Sequence, residues 1–407
     1  MDDASHKNTS VFVDGVFSRK ERKDRKAGGP TSVSTTIDRS GWKWVRLGEV
    51  CKIIMGQSPD SSGYNVTCEG LPLIQGNADI QNRKTIVRTY TKHVTKQAYK
   101  GDLLLTVRAP VGNIARVKFN CSIGRGVCAL HDAPDYLYHY FESIEGKWGH
   151  LSGGSTFDSI NSDTLASLEI PLPKPIEQSI IVSSLSSIDT NISALQSLIA
   201  KYEAIKKATV NLLLKPKKDW RCGKLADVCD NFTGLTYAPE DVSDSGILVL
   251  RSSNIQNEAL SFADNVMVKC PVPERATVKA GDLLVCVRNG SRKLIGKSAV
   301  ITSAAEGMAF GAFMTILRAT ALDQLFLSYL WQSSIIQKQI EESLGATINQ
   351  ITNADIKRFE IYYPTSIEEQ RKIAEQITAI DNVLADYKAQ LEKARKLKAG
   401  MMSYFFG

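Results

Sequence analysis

The chain is written twice, and a repeat at a long fixed offset dictates architecture before any single motif is read. GDLLLTVR, beginning at Gly101, returns as GDLLVCVR, beginning at Gly281, 180 residues later. LGEVC at Leu47–Cys51 returns as LADVC at Leu225–Cys229, each shortly after a tryptophan, Trp44 or Trp220. ADIQN (78–82) is echoed by SNIQN (253–257), GSTFDSI (154–160) by GATINQI (345–351), and LEIPLP (168–173) by FEIYYP (359–364). After those prolines come PIEQSII and SIEEQRKI, then SSIDTNI and TAIDNVL. Such a chain offers two similar surfaces to its target.

Each copy holds two kinds of text. Trp44 to Pro173 and Trp220 to Pro364 contain short β-branched runs (LLLTV, ARVKF, LLVCV, SAVIT) punctuated by Gly, Asn and Pro, which predicts a strand-rich domain. A helical patch, DYLYHYFESIEGKWG or LDQLFLSYLWQSSIIQKQIEES, precedes each GST or GAT segment. Beyond the prolines a heptad pattern takes over. Ile181, Leu185, Ile188, Ile192, Leu195, Ile199 and Tyr202 alternate at four and three, and so do Ile373, Ile377, Ile380, Leu384, Tyr387, Leu391 and Ala394. Adding 192 to each member of the first set gives the second. Glu177 and Glu368 fall in the expected first turns, with basic residues toward the other ends, as the helix dipole favours.

These features predict an α+β fold: two strand-rich domains in pseudo-repeat, each followed by a long helix, the two helices pairing as an antiparallel coiled coil. Antiparallel pairing follows from the globular domain lying between them. The expected layout is a flexible tail at 1–40, a first domain at 41–173, a helix at 174–218, a second domain at 219–364 and a second helix at 365–407. Leu198, Ile205 and Leu212 recur every seven residues beside the seam, with Leu397 and Tyr404 matching the last two. They widen the apolar face beyond what two helices need, so they are candidates for binding a partner.

The order and spacing of these pieces resemble the specificity (S) subunit of Type I restriction-modification systems. The resemblance rests on the two-copy layout, GSTFDSI and GATINQI, IPLP and IYYP before the helices, and IEQ and EEQ followed by I and ID. It covers nearly the whole chain from Gly41. It implies two target-recognition domains, each reading half of a bipartite double-stranded DNA site, and helices that space them. It further implies docking of two modification subunits and of restriction subunits. S-adenosylmethionine, ATP and Mg2+ would be used by those other subunits, with no catalytic site and no cofactor in this chain.

The residues themselves agree with a binding role. No NPPY-type tetrapeptide, GxxxxGK[ST] phosphate loop or GxGxxG fingerprint is present. The histidines His6, His93, His131, His139 and His150 form no ligand or triad spacing that recurs in both copies. Eight cysteines lack CxxC pairs and read as buried reduced thiols rather than a zinc site. No apolar run approaches membrane-spanning length, and the N-terminal text is unlike a secretory signal, so a cytoplasmic protein is expected. The formal charge of +7 is compatible with a polyanionic partner. A coiled-coil adaptor binding only protein, or a nuclease or methyltransferase with a fused recognition half, are the alternatives; the latter needs a catalytic domain this text lacks.

Base readout calls for Arg or Lys at guanine and Asn or Gln at adenine, with Lys, Arg and Ser at phosphates. The first copy supplies Gln57, Ser58, Tyr64, Gln75, Asn77, Arg83, Lys84 and Arg108. The second supplies Thr233, Tyr237, Arg251, Ser252, Asn254, Arg288, Asn289, Arg292 and Lys293. Any one of these could instead be a turn former or a solvated charge. The segments 154–161 and 345–352 read as domain-to-helix junctions, as phosphate loops or as partner contacts.

Overall fold

A computed structural model of the chain describes residues 39–148, 159–345 and 349–407. Nearly all of the expected tail, His150, most of GSTFDSI and the middle of GATINQI lie outside the described residues.

At the centre of the first domain is a four-stranded antiparallel sheet in the order Ile114–Arg116, Leu103–Thr106, Val127–His131, Lys52–Met55. The second domain has the same arrangement: Ser298–Val300, Leu283–Cys286, Met314–Ala319, Cys229–Thr233. GDLLLTV and GDLLVCV are continuously apolar because this sheet is covered on both faces. Side chains alternate across a strand, so Leu103 and Leu105 enter one core with Phe141 and Tyr136 while Leu104 enters another with Ile74 and Ile123. Leu283 and Val285 likewise part company with Leu284 and Cys286. Burying each such side chain contributes roughly 1.5–3 kcal/mol.

A second sheet covers one face. In the first domain Leu71–Ile74 pairs in parallel with Cys121–Ile123, and in the second Ile247–Leu250 pairs in parallel with Ala309–Phe310. The turn before each GDLL strand needs its glycine, since Gly101 (φ 102°) and Gly281 (φ 90°) lie in the left-handed region. The adjoining Asp102 accepts from the Tyr99 amide at 2.8 Å, and Asp282 from the Lys279 amide at 2.8 Å. The free edge of each aspartate holds the matching residue of the neighbouring strand: His131 Nδ1 lies 2.8 Å from Asp102, and Arg318 Nε donates to Asp282 at 2.7 Å.

Each domain closes by pairing its first strand with its last, Lys43–Arg46 with Glu169–Leu172 and Arg221–Lys224 with Glu360–Tyr363. The long helices Pro175–Leu213 and Ile367–Phe406 follow, each about 60 Å long at 1.5 Å per residue. Gln178 Nε2 donates to the Pro173 carbonyl at 2.8 Å, and Gln370 Nε2 to the Pro364 carbonyl at 2.8 Å, so the EQ of IEQ and EEQ ties each helix to the strand before it.

The helices lie antiparallel. Lys398 Nζ meets Asp189 at 2.5 Å, Lys388 meets Glu203 at 3.0 Å, and Lys206 meets Asp381 at 2.7 Å. The rings of Tyr202 and Tyr387 meet midway, tilted, at 5.4 Å. The heptad residues divide by location. Ile181, Leu185, Ile188 and Leu195 pack with Leu391, Ala394 and Phe405, joined by the half-buried Ile192, Ile199 and Tyr387. Ile373 and Ile377 instead join Val210 and Leu214 in the second domain's core. Leu384 is buried, and Ile380 and Tyr202 are half-buried. Each helix thus begins at its own domain and ends against the other one.

Two sequence expectations need correction. The tryptophan matching Trp220 is Trp42, which packs with the far helix against Phe406, whereas Trp44 is 65% exposed on an edge strand. Cys51, Cys121, Cys128, Cys229 and Cys286 are buried free thiols, but Cys68 and Cys222 are exposed and Cys270 half-buried. Cys68 occupies a positive-φ turn and Cys222 a two-stranded edge, neither of which the cores cover.

Candidate nucleic-acid interface

Five segments of the first domain are stitched into one surface. The Gln57 amide donates to the Ile123 carbonyl at 3.0 Å, Gly126 to Gln75 at 3.0 Å, Val107 to Gly126 at 3.0 Å and Ile160 to Val107 at 2.8 Å. The Arg125 amide donates to Ser58 Oγ at 3.4 Å, and Asn113 Nδ2 donates to Asn77 Oδ1. The exposed side chains gathered here are those of Gln57, Ser58, Gln75, Arg108 and Arg125.

The second domain repeats the stitching with different side chains. Leu235 donates to Phe310 at 2.7 Å, Gly311 to Leu250 at 2.9 Å, Val287 to Phe313 at 3.0 Å and Ile351 to Val287 at 3.0 Å. Lys297, at the position of Asn113, donates its Nζ to the Ser252 carbonyl at 3.4 Å, Asn289 Nδ2 donates to Ser252 Oγ at 3.1 Å, and Asn353 Nδ2 to Thr233 Oγ1 at 2.8 Å. Thr233, Arg288, Arg292 and Phe313 are exposed here. Both loops that open the surface need glycine: a Cβ on Gly56 would collide with the carbonyls of Gly124 and Val127, and one on Gly234 with those of Gly311 and Phe310.

Arginines separate into two groups. Among the described residues no carboxylate pairs with Arg108, Arg125 or Arg288, so their guanidinium groups are available to an anionic or base-edge partner. Arg292 is turned to the Glu341 and Gly345 carbonyls at 3.4 and 3.5 Å. Arg251 is half-buried and paired with Asp264 at 3.0 Å. Arg83 is committed elsewhere, bridging Glu142 at 3.1 Å and Glu145. Burial works against its charge, and the two carboxylates outweigh that.

Other candidates are also placed differently from the sequence expectation. Asn254 is fully buried; its carbonyl oxygen accepts from the Arg251 amide at 2.9 Å and its amide donates to Ser261 and Asp264 at 3.0 Å, leaving nothing for a base. Asp79 does the same for the Gln75 amide at 2.7 Å in the first copy. Tyr64 is half-buried, its hydroxyl donating to Pro59 at 3.2 Å, and Tyr237 packs against a small apolar core. Lys84 lines a cleft of about 900 Å³ between the first domain and the helices, and Lys293 lines a matching one of about 1010 Å³ beside the second.

Arg83 marks the junction of the first domain with both long helices. Glu142, on the helix Tyr136–Ser143, also receives Lys398, which reaches on to Asp189. Burial would raise its pKa, but His139, whose Nδ1 lies 3.6 Å from its Oε2, the hydrogen bond from Lys398 and the charge of Arg83 lower it to about 2. His139 is buried within this junction, 3.2 Å from Ser186 Oγ. At the second junction Glu258, which matches Arg83 on a positive-φ hairpin tip, meets Lys206 at 2.5 Å, and Tyr329 donates to Asp381 at 2.8 Å.

Arg125 and Phe313 escaped the sequence reading. The signal was present: IGRGV (123–127) aligns with FGAFM (310–314), each the turn entering the strand beside GDLL.

Residues 39–204 and 217–394 each match the family described as the Type I restriction modification DNA specificity domain. The chain belongs to this specificity family. A relative in Methanocaldococcus jannaschii, provisionally named the MjaX type I restriction enzyme specificity subunit, is 35% identical over 214 residues, covering 51% of this chain and 48% of its own. The EcoKI specificity subunit of Escherichia coli K12 is 30% identical over 186 residues, covering 44% and 40%. The matches thus span about half the length of these curated relatives or less. A solved S subunit of a Type-I restriction-modification system from M. genitalium shares the fold at a TM-score of 0.60 and 15% identity, covering 93% of this chain and 98% of that one. The two specificity domains contain the two loop surfaces described above. No helix among the described residues is long and apolar enough to cross a membrane.

Proposed function

We propose that this chain is the DNA-specificity subunit of a type I restriction-modification complex, working in the cytoplasm, with one domain on each half of a bipartite double-stranded target. The observation that carries the proposal is the pair of loop surfaces: one hydrogen-bonded frame, with Gln57, Gln75, Arg108 and Arg125 on the first copy and Thr233, Arg288, Asn289 and Phe313 on the second. A shared frame with different side chains is what two distinct half-sites require. The antiparallel helices hold the two domains at fixed separation. Two modification subunits would dock on the helices, where Ile205, Leu212 and Leu397 are exposed and Leu198 is half-buried, with restriction subunits beyond them. Methyl transfer and cleavage belong to those subunits, with their S-adenosylmethionine, ATP and Mg2+; this chain supplies selection and spacing.

Methylation profiling of cells carrying the chain with its modification subunits tests this. The expected target is two short blocks around an unspecified gap, centred roughly 34–36 Å apart, one helical turn. Exchanging residues 44–173 for another family member's domain should change one block alone. A continuous motif, or no affinity for DNA with partners present, would refute the proposal, the latter in favour of a protein-binding adaptor.

A further inference from the structure

Phe313 is 56% exposed in the middle of the second loop surface. It is not a loose residue. Its carbonyl accepts from the Val287 amide at 3.0 Å and the Arg288 amide at 3.2 Å, which fixes the backbone on which the ring stands. The Arg288 guanidinium lies over the ring, 5.0 Å from its centroid. Stacking of this kind orients a guanidinium while leaving its edge donors free. The result is a flat donor fork beside a fixed apolar edge.

The first domain has the same arginine without the ring. Arg108 occupies the position of Arg288 in the repeated GDLL strand, but the position of Phe313 is held by Gly126, whose carbonyl receives the Val107 amide as that of Phe313 receives Val287. The ring is therefore a specialisation of the second copy, laid on a frame common to both.

We propose that Arg288 and Phe313 read one dinucleotide step as a unit: the guanidinium donates to O6 and N7 of a guanine in the major groove, and the phenyl edge contacts the C5-methyl of a thymine in the adjoining base pair. Arginine on guanine and an apolar group on the thymine methyl are the two contacts for which this chemistry is suited. One face of the ring is occupied by the guanidinium, which disfavours insertion between bases and favours an edge contact. The inference rests on the DNA-specificity reading and adds a substrate feature to it: the second domain's block contains a thymine next to a guanine, and its methyl group is sensed.

The test uses the full chain with its modification subunits and duplexes carrying the motif found by methylation profiling. Each thymine of the second domain's block is replaced in turn by deoxyuridine, which removes only the methyl. Losing one buried methyl contact should weaken wild-type binding about fourfold at a single position. Phe313→Ala should bind both duplexes equally, and Phe313→Leu should retain discrimination. Replacing the adjacent guanine should cost wild type roughly 5- to 150-fold, and Arg288→Ala should lose that preference. A bipartite motif with no deoxyuridine position that separates wild type from Phe313→Ala overturns the inference and leaves the DNA-specificity reading intact. Absence of any sequence-selective binding overturns both.

Discussion

Replacing Gln370 by Met should uncouple the second domain from its helix, and the equivalent change at Gln178 should not. Gln370 is fully buried; its Oε1 accepts from the Asp323 amide at 2.7 Å while its Nε2 donates to the Pro364 carbonyl at 2.8 Å. Methionine matches the volume but leaves both backbone groups unpaired in the interior. At about 1–3 kcal/mol for each unsatisfied group, the loss is about 2–6 kcal/mol. Gln178 is half-buried and makes the one bond to Pro173, which water can replace, so Gln178→Met should cost about 0.5–1.5 kcal/mol. The damage at Gln370 should also spread. Asp323 caps the helix Gln324–Gln332, its Oδ1 accepting from Leu325 at 3.0 Å and Phe326 at 3.1 Å, and that helix carries Phe326 and Trp331 into the core. Hydrogen exchange over 324–332, read with thermal unfolding, is the assay. Protection there should fall at least about thirtyfold in Gln370→Met and little in Gln178→Met. Equal effects of the two substitutions would refute the reasoning.

Leu384 is buried and Ile192 half-buried between the helices, so Leu384→Asp should destabilise by several kcal/mol and Ile192→Asp by less, with the double variant failing to assemble; normal thermal stability and methylation would refute it. Asp102 raises the His131 pKa above its ordinary 6.5 through their hydrogen bond, so this pairing contributes fully below about pH 6.5 and is lost as pH rises through the raised value. Thermal stability measured across that range should fall for wild type, whereas His131→Arg, which copies Arg318, should flatten this part of the profile; the same slope in both would exclude His131. Ile205→Lys with Leu397→Lys should weaken co-purification of the modification subunits while leaving helical content by circular dichroism unchanged, because both side chains are already exposed. Wild-type stoichiometry and affinity would place the partner elsewhere.

The repeat alone determined the two-domain, two-helix architecture, because similar text in two places must satisfy the same local rules twice. GDLL had to be a strand buried on both faces, with a left-handed glycine before it and a capping aspartate at its start. The heptad positions, matched at an offset of 192, likewise predicted the two helices; the register in which Lys206 finds Asp381 and Lys398 finds Asp189, equivalent pairs under the same offset, came from the structure. Tertiary structure decided which polar residues are free. Arg83 and Arg108 are the same residue type in the same domain, yet Arg83 is tied to Glu142 and Glu145, some sixty positions away in the chain, and Arg108 meets no carboxylate among the described residues. Asn254 looked like a base-reading asparagine and is the buried clasp of a turn, a role Asp79 fills in the other copy. Insertions between the markers change the offset from 175 at Asn254 to 187 at Phe313 and 192 in the helices; IGRGV and FGAFM match only locally, and the hydrogen-bonded frame puts Gly126 and Phe313 in the same place. Local sequence fixes backbone conformation through steric and hydrogen-bond rules that act over a few residues, but whether a side chain is spent or available depends on charges and carbonyls that only folding brings within reach.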